Sequence, residues 1–208
     1  MALLKEEERI CRELDDPAGL SRSLGNQASI LERRCNLDGA LALLQEQERI
    51  CRELGNRDGL QCSLGNQANI LFFHHDIFFF DHDLEDAMAL VKEQERICRE
   101  LGDPDGLQAS LYLQGAILQT WGRLEEAMIL LKDQERICRE IGNPAGLQRS
   151  LGNQAQILRA RGDVKGARSL LKERKRIRRE LGRPSGAGVV LQTAMAYLQW
   201  RISKASSR

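Results

Sequence analysis

The side chains of this chain that could do chemistry fall into two groups that do not meet in the sequence. All three histidines, His74, His75 and His82, lie in one short stretch with Asp76, Asp81 and Asp83. Imidazole and carboxylate together are ligand types for a divalent metal. The spacing matches no coordination motif, however, and neighbouring side chains on a loop rarely converge on one ion, so no metal and no cofactor are expected. The second group is the cysteines, six in all. A cysteine nucleophile needs a base within hydrogen-bond reach, and every histidine here is sequestered in the other stretch. No phosphate-binding glycine loop and no nucleophile-elbow serine is present. The expectation is a protein that is not an enzyme.

Four of the cysteines show what the chain is built from. Cys11, Cys51, Cys98 and Cys138 each stand fourth in the run Glu-Arg-Ile-Cys-Arg-Glu, and a fifth, altered copy surrounds Ile177. The isoleucines Ile10, Ile50, Ile97, Ile137 and Ile177 are spaced by 40, 47, 40 and 40 residues. A fixed period of that length is the signature of a unit copied and stacked into an array. A cysteine repeated once per unit reads as a small buried side chain. Equivalent helices of successive units are too far apart for the ~7 Å Cα separation that a disulfide tolerates, so these thiols are expected to be reduced, as in a cytosolic protein.

Each unit contains two amphipathic segments. Leu151, Ala155 and Leu158, with Ile157 beside them, have the spacing of one helix face, and Leu24-Gly25-Asn26-Gln27-Ala28 and Leu64-Gly65-Asn66-Gln67-Ala68 are copies of the same segment. We call this helix A; Leu111-Tyr112-Leu113-Gln114-Gly115 is its divergent copy. The Glu-Arg-Ile-Cys segment is helix B, supported by opposite charges four apart such as Glu48 with Arg52 and Arg49 with Glu53. Gly55, Gly102, Gly142 and Gly182 follow helix B where a left-handed residue is wanted. Asp16-Pro17, Asp103-Pro104 and Asn143-Pro144 then supply an N-cap and a proline at the first helical position. Gly122 and Gly162 mark the turn from A to B, and Ala40, Ala87, Ala127 and Ala167 open helix B where helices approach closely.

A leading apolar residue, a small residue four later, a glycine turn and an alanine five after that glycine resemble the tetratricopeptide repeat (TPR), most closely the 40-residue Pins/LGN and kinesin-light-chain-like type. The resemblance spans nearly the whole chain. It implies an all-α, right-handed α-solenoid of antiparallel helix pairs: a lone helix B at 2–14, pairs at 16–54, 56–101, 103–141 and 143–181, and a lone final helix A at 185–202. An array that starts and stops in mid-repeat is expected to be a fragment or short isoform, or to have its open ends covered by another chain.

The resemblance also implies that helix A lines a concave groove holding an extended or helical peptide of a partner protein. The groove residues would be Asn26, Ser29, Arg33, Asn66, Asn69, Tyr112, Leu113, Arg149, Asn153, Gln156 and Arg159, with Arg22 beside them. An asparagine amide donates and accepts at once, so a ladder of them suits a peptide backbone, and arginines select acidic groups. Tyr112 and Leu113 interrupt the ladder and offer an apolar pocket. The plainer alternative is that Leu-Gly-Asn-Gln is solvated consensus with no ligand.

Two departures from the repeat stand out. Residues 72–83 carry seven extra positions, all five phenylalanines and all three histidines, and read either as an insert without function or as a docking patch. The last helix B carries a basic patch of Lys172, Arg174, Lys175, Arg176, Arg178 and Arg179. A charge run is most often a solvated face; contact with an acidic protein, nucleic acid or anionic lipid is the alternative, and the lack of interleaved aromatics argues against nucleic acid. Charge is polarised along the chain, with 12 basic and 21 acidic residues in 1–104 against 19 and 9 in the remainder. Self-association through oppositely charged ends is therefore a rival to groove binding. No apolar run approaches the ~20 residues of a membrane span and none reads as a signal peptide, so the expected setting is cytoplasmic.

Overall fold

The structure, a computed structural model, describes residues 1–78 and 81–181, and the side chains of these apart from 73–82. Among the described residues the chain is all helix and turn. The helix B copies are α1 (Ala2–Glu13), α3 (Leu37–Leu54), α5 (Asp81–Leu101), α7 (Leu124–Glu140) and α9 (Val164–Glu180), and the helix A copies are α2 (Pro17–Arg33), α4 (Arg57–Phe78), α6 (Pro104–Thr120) and α8 (Pro144–Ala160). The expected terminal helix A at 185–202, and Gly182, lie outside the described residues.

Each helix packs on the next in sequence, and α2, α4, α6 and α8 also pack on one another, with Cα atoms within 8 Å; no two B helices approach that closely. The A helices therefore form the inner, tighter layer of the stack and the B helices the outer one. The stretch 72–83, for which periodicity leaves open whether helix A runs through it, is helical as far as Phe78: α4 has 22 residues where α2, α6 and α8 have 17 each. Two helical segments absorb most of the extra length, so the repeat keeps its place in the stack.

Local chemistry starts and stops these helices. The carboxylate of Asp16 accepts from the Gly19 amide at 2.9 Å, Asn143 accepts from Gly146 at 2.9 Å, and Asp163 from Gly166 at 2.8 Å, each satisfying an orphan donor of the first turn. Gly55, Gly102 and Gly142 leave helix B at φ between 65° and 66°, and Gly122 and Gly162 turn from A to B at 74° and 82°. In the first repeat these two roles fall to Asp15, at φ 52°, and Cys35, at φ 57°. A left-handed residue with a Cβ costs ~1–2 kcal/mol, less for aspartate. Replacing Cys35 with the glycine of the later repeats is accordingly expected to raise stability by ~0.5–1 kcal/mol, and Asp15→Gly by less. Urea unfolding midpoints check this; a lowered midpoint for Cys35→Gly would show that the thiol contributes packing instead.

The repeated cysteines join helix B to the helix A that follows. Cys11, Cys51, Cys98 and Cys138 are buried, and a Cβ added at Gly19, Gly59, Gly106 or Gly146 would lie 2.5–2.8 Å from the facing Sγ. The glycine is what lets the thiol in. Burial pushes the Cys98 thiol up to about 12 and that of Cys138 to about 11, so both are neutral near pH 7 and are fillers of a close contact, not nucleophiles. All six cysteines are free.

Candidate functional site

The repeated tetrapeptide Leu-Gly-Asn-Gln divides its four residues between the stack and the groove. Leu24, Leu64 and Leu151 are fully buried. A Cβ on Gly25 would fall 2.7 Å from Nε2 of Gln47, and one on Gly152 would fall 3.3 Å from the Arg174 guanidinium, so the glycine admits a long side chain of its own helix B across the helix A backbone. The glutamine binds the preceding helix B. Nε2 of Gln27, Gln67, Gln114 and Gln154 donates to Glu8, Glu48, Glu95 and Glu135 at 2.6, 2.6, 2.6 and 2.5 Å.

The same glutamates accept from Arg12, Arg52, Arg99 and Arg139 four residues on. These arginines then reach across to the next helix B, Arg12 to Glu46 at 2.8 Å, Arg52 to Glu93 at 2.9 Å and Arg139 to Glu173 at 2.9 Å. Arg52 holds the Glu93 carboxyl below its usual range. The outer surface is thus a relay of charged hydrogen bonds running from repeat to repeat.

The asparagine is left over. Among the described residues, Asn26 and Asn66 are exposed and their side chains make no hydrogen bond; Asn153 is half-buried, and its backbone carbonyl alone is engaged, by Gln119 at 3.2 Å. One helical turn on, Ser29, Asn69 and Gln156 are exposed. Ser29 donates back to the Gly25 carbonyl at 3.1 Å, and Asn69 reaches Glu32 at 3.4 Å. Arg22, Arg33, Arg149 and Arg159 are exposed on the same helices. At the positions equivalent to Arg22, Asn26, Ser29 and Arg33 in α2, α4, α6 and α8, no described residue is a carboxylate.

The divergent repeat departs from the expectation. Leu113, at the asparagine position, is only 5% exposed and belongs to the core cluster with Leu84, Met88 and Ile117, so it does not line an open groove. Tyr112 does: it is half-buried, and the Arg149 guanidinium lies 5.0 Å over its ring, within cation–π range. Tyr112, Asn153 and Gln156 share a hollow of about 410 Å³ between α4, α6 and α8 with Phe72, Ala116, Gln119 and Ile157. Sequence reasoning missed Phe72 as a lining residue. The usable signal is its register, since it occupies the place of Glu32, Gln119 and Arg159 in the other A helices, polar in all three.

The basic patch on α9 divides into three. Lys172, Lys175, Arg176 and Arg179 share a hollow on one face. Arg174 lies on the opposite side, against Gly152 of α8. Arg178 is half-buried in the position of the repeated cysteine.

No protein-family model matches the sequence, and no curated protein sequence matches it. Solved structures do match the fold. BtubC (BKLC) from P. vanneervenii superposes with a TM-score of 0.75 at 19% identity, over 88% of this chain and 74% of that one. The nearly identical kinesin-light-chain TPR-like repeats from Podosopora anserina give 0.66 at 17% identity, over 88% and 87%. The fold is that of a TPR-type repeat array. Aspartyl phosphate phosphatase F from Bacillus subtilis also matches, with a TM-score of 0.75 at 12% identity over 98% of this chain, which spans 55% of that longer protein. This TPR-type array contains no helix, among its described residues, long and apolar enough to cross a membrane.

Proposed function

We propose that the chain is a non-enzymatic interaction scaffold that takes an extended or helical segment of a partner protein along its inner layer of A helices. One observation carries the reading: of the four residues in Leu-Gly-Asn-Gln, the asparagine alone has no side-chain role in the stack, yet Asn26, Asn66 and Asn153 recur in register on the inner wall. Free amides at that spacing offer paired donors and acceptors to a peptide backbone. The surrounding Arg22, Arg33, Arg149 and Arg159 favour a segment bearing carboxylates, and the Tyr112 hollow suits an apolar side chain. A cytoplasmic setting accords with the free, neutral thiols.

The test compares the wild-type chain with an Asn26→Ala, Asn66→Ala, Asn153→Ala variant of equal helicity by circular dichroism, in affinity capture followed by titration of the captured partner. Each lost hydrogen bond is worth ~0.5–1.5 kcal/mol, so a groove ligand should weaken on the order of 10- to 100-fold. Unchanged partners and affinities would make the asparagines inherited consensus.

A further inference from the structure

We propose that the outer face of α9 is a docking site for an acidic helix of a partner protein, separate from the inner groove. The argument begins with what the same face does elsewhere. In α7 the corresponding positions line a hollow with Lys132, Glu135, Arg136, Arg139 and Glu140, a mixture of signs. Arg136 there pairs with Asp133 at 2.6 Å and Glu140 at 2.8 Å, and Arg139 pairs with Glu135 and Glu173. The face neutralises itself.

In α9 it does not. The hollow is lined by Ser169, Lys172, Glu173, Lys175, Arg176 and Arg179, and Lys175 stands where the internal repeats have Glu48, Glu95 and Glu135. Residues 141–208 contain fifteen lysines and arginines against three carboxylates, Asp163, Glu173 and Glu180. Each of the three is engaged: Asp163 caps α9 at the Gly166 amide, Glu173 receives Arg139, and Glu180 lies 3.8 Å from Arg176. The packing neighbour α8 has no acidic residue. Lys172, Lys175 and Arg179 have no carboxylate within ion-pair distance among the described residues.

The interior rungs indicate what would complete this face. Arg12, Arg52 and Arg139 each donate sideways to a carboxylate on an adjacent, parallel-stacked helix at 2.8 to 2.9 Å, and Arg179 occupies the same register in α9. Lys172, Lys175, Arg176 and Arg179 fall at i, i+3, i+4 and i+7, a stripe ~10 Å long at 1.5 Å rise per residue. Carboxylates at i, i+4 and i+7 of a second helix match that length. A nucleic acid fits less well, because single strands are held by bases stacked on aromatic rings and, among the described residues, no aromatic side chain lines the hollow.

The experiment measures binding of a fluorescent helical peptide carrying glutamates at i, i+4 and i+7, with the same peptide in glutamine as control, at 50 and 200 mM salt. Lys175→Glu is the principal variant, since it restores the residue of the internal repeats and preserves folding. Arg174→Gln is the matched control, removing a charge that lies on α8 instead of on this face. The expected result is binding of the glutamate peptide only, weakened by salt, reduced at least tenfold by Lys175→Glu, and little changed by Arg174→Gln or by the triple asparagine variant. Four outcomes overturn the proposal: no binding at 50 mM salt, equal loss from both α9 variants, loss on removing the asparagines, or tighter binding to a twenty-nucleotide RNA or phosphatidylserine vesicles than to the peptide.

Discussion

Truncating Leu131 to alanine is expected to destabilise the array by about 3–4 kcal/mol, the largest effect of any single change considered. Leu131 is completely buried in the cluster formed by α5, α6, α7 and α8, with Ile117, Met128 and Ile157. The reason for the size is not burial alone. Helix α6 approaches α7 at Gly115, where an added Cβ would lie 3.0 Å from Cγ and Cδ2 of Leu131, so this leucine fills a close contact between the two helices. Gly115→Ala in the wild-type chain should therefore cost ~1 kcal/mol, its gain in helix propensity being outweighed by overpacking. In the Leu131→Ala background the sign reverses: the methyl enters the space vacated, and Gly115→Ala recovers ~1–2 kcal/mol. Urea unfolding of the four proteins measures both terms. Additive effects would mean that the helices separate instead of leaving a cavity, and would remove the close-contact account.

The second large effect is expected at the joint between helix B and the following helix A. Gln154→Leu puts an apolar side chain of similar size in place of the amide and removes the donor to Glu135 at 2.5 Å, to Ser150 Oγ at 3.1 Å and to the Leu131 carbonyl at 3.3 Å. Hydrogen bonds to charged groups contribute ~1.5–3 kcal/mol, and the loss should fall in that range because the joint is largely buried, with the Glu135 side chain 14% exposed. A double-mutant cycle with Glu135→Leu isolates the pair. A coupling energy of ~1–2 kcal/mol is expected; a coupling near zero would place Glu135's role in its pairing with Arg139 alone. The glutamine–glutamate joint occurs four times. At α9, Lys175 stands in the place of that glutamate.

The phenylalanine-rich stretch shows where periodicity stops deciding local structure. Its hydrophobic pattern has no repeat of 3.6 residues because the insert is foreign to the consensus, so the pattern does not decide whether helix A runs through it. The backbone nevertheless stays helical to Phe78, since α4 enters the stretch with its helix already nucleated and extension costs far less than initiation.

What the amino-acid sequence determined by itself was everything set within one repeat. The 40-residue period is legible as repetition alone, and the Asp-Pro and Asn-Pro starts, the left-handed glycine stops and the pairing of Glu48 with Arg52 and Arg49 with Glu53 involve residues at most a turn or two apart, so local rules reach them. Tertiary structure decided what depends on the neighbouring repeat. Leu113 is buried where Asn26 and Asn66 are exposed because it joins the core shared by α5, α6 and α7. Phe72 lines the Tyr112 hollow, and Arg174 leaves the basic face to lie on Gly152. Contacts of this kind join residues about twenty to forty positions apart in the chain, where no spacing rule operates, and they determine which copies of a repeated residue are free to bind.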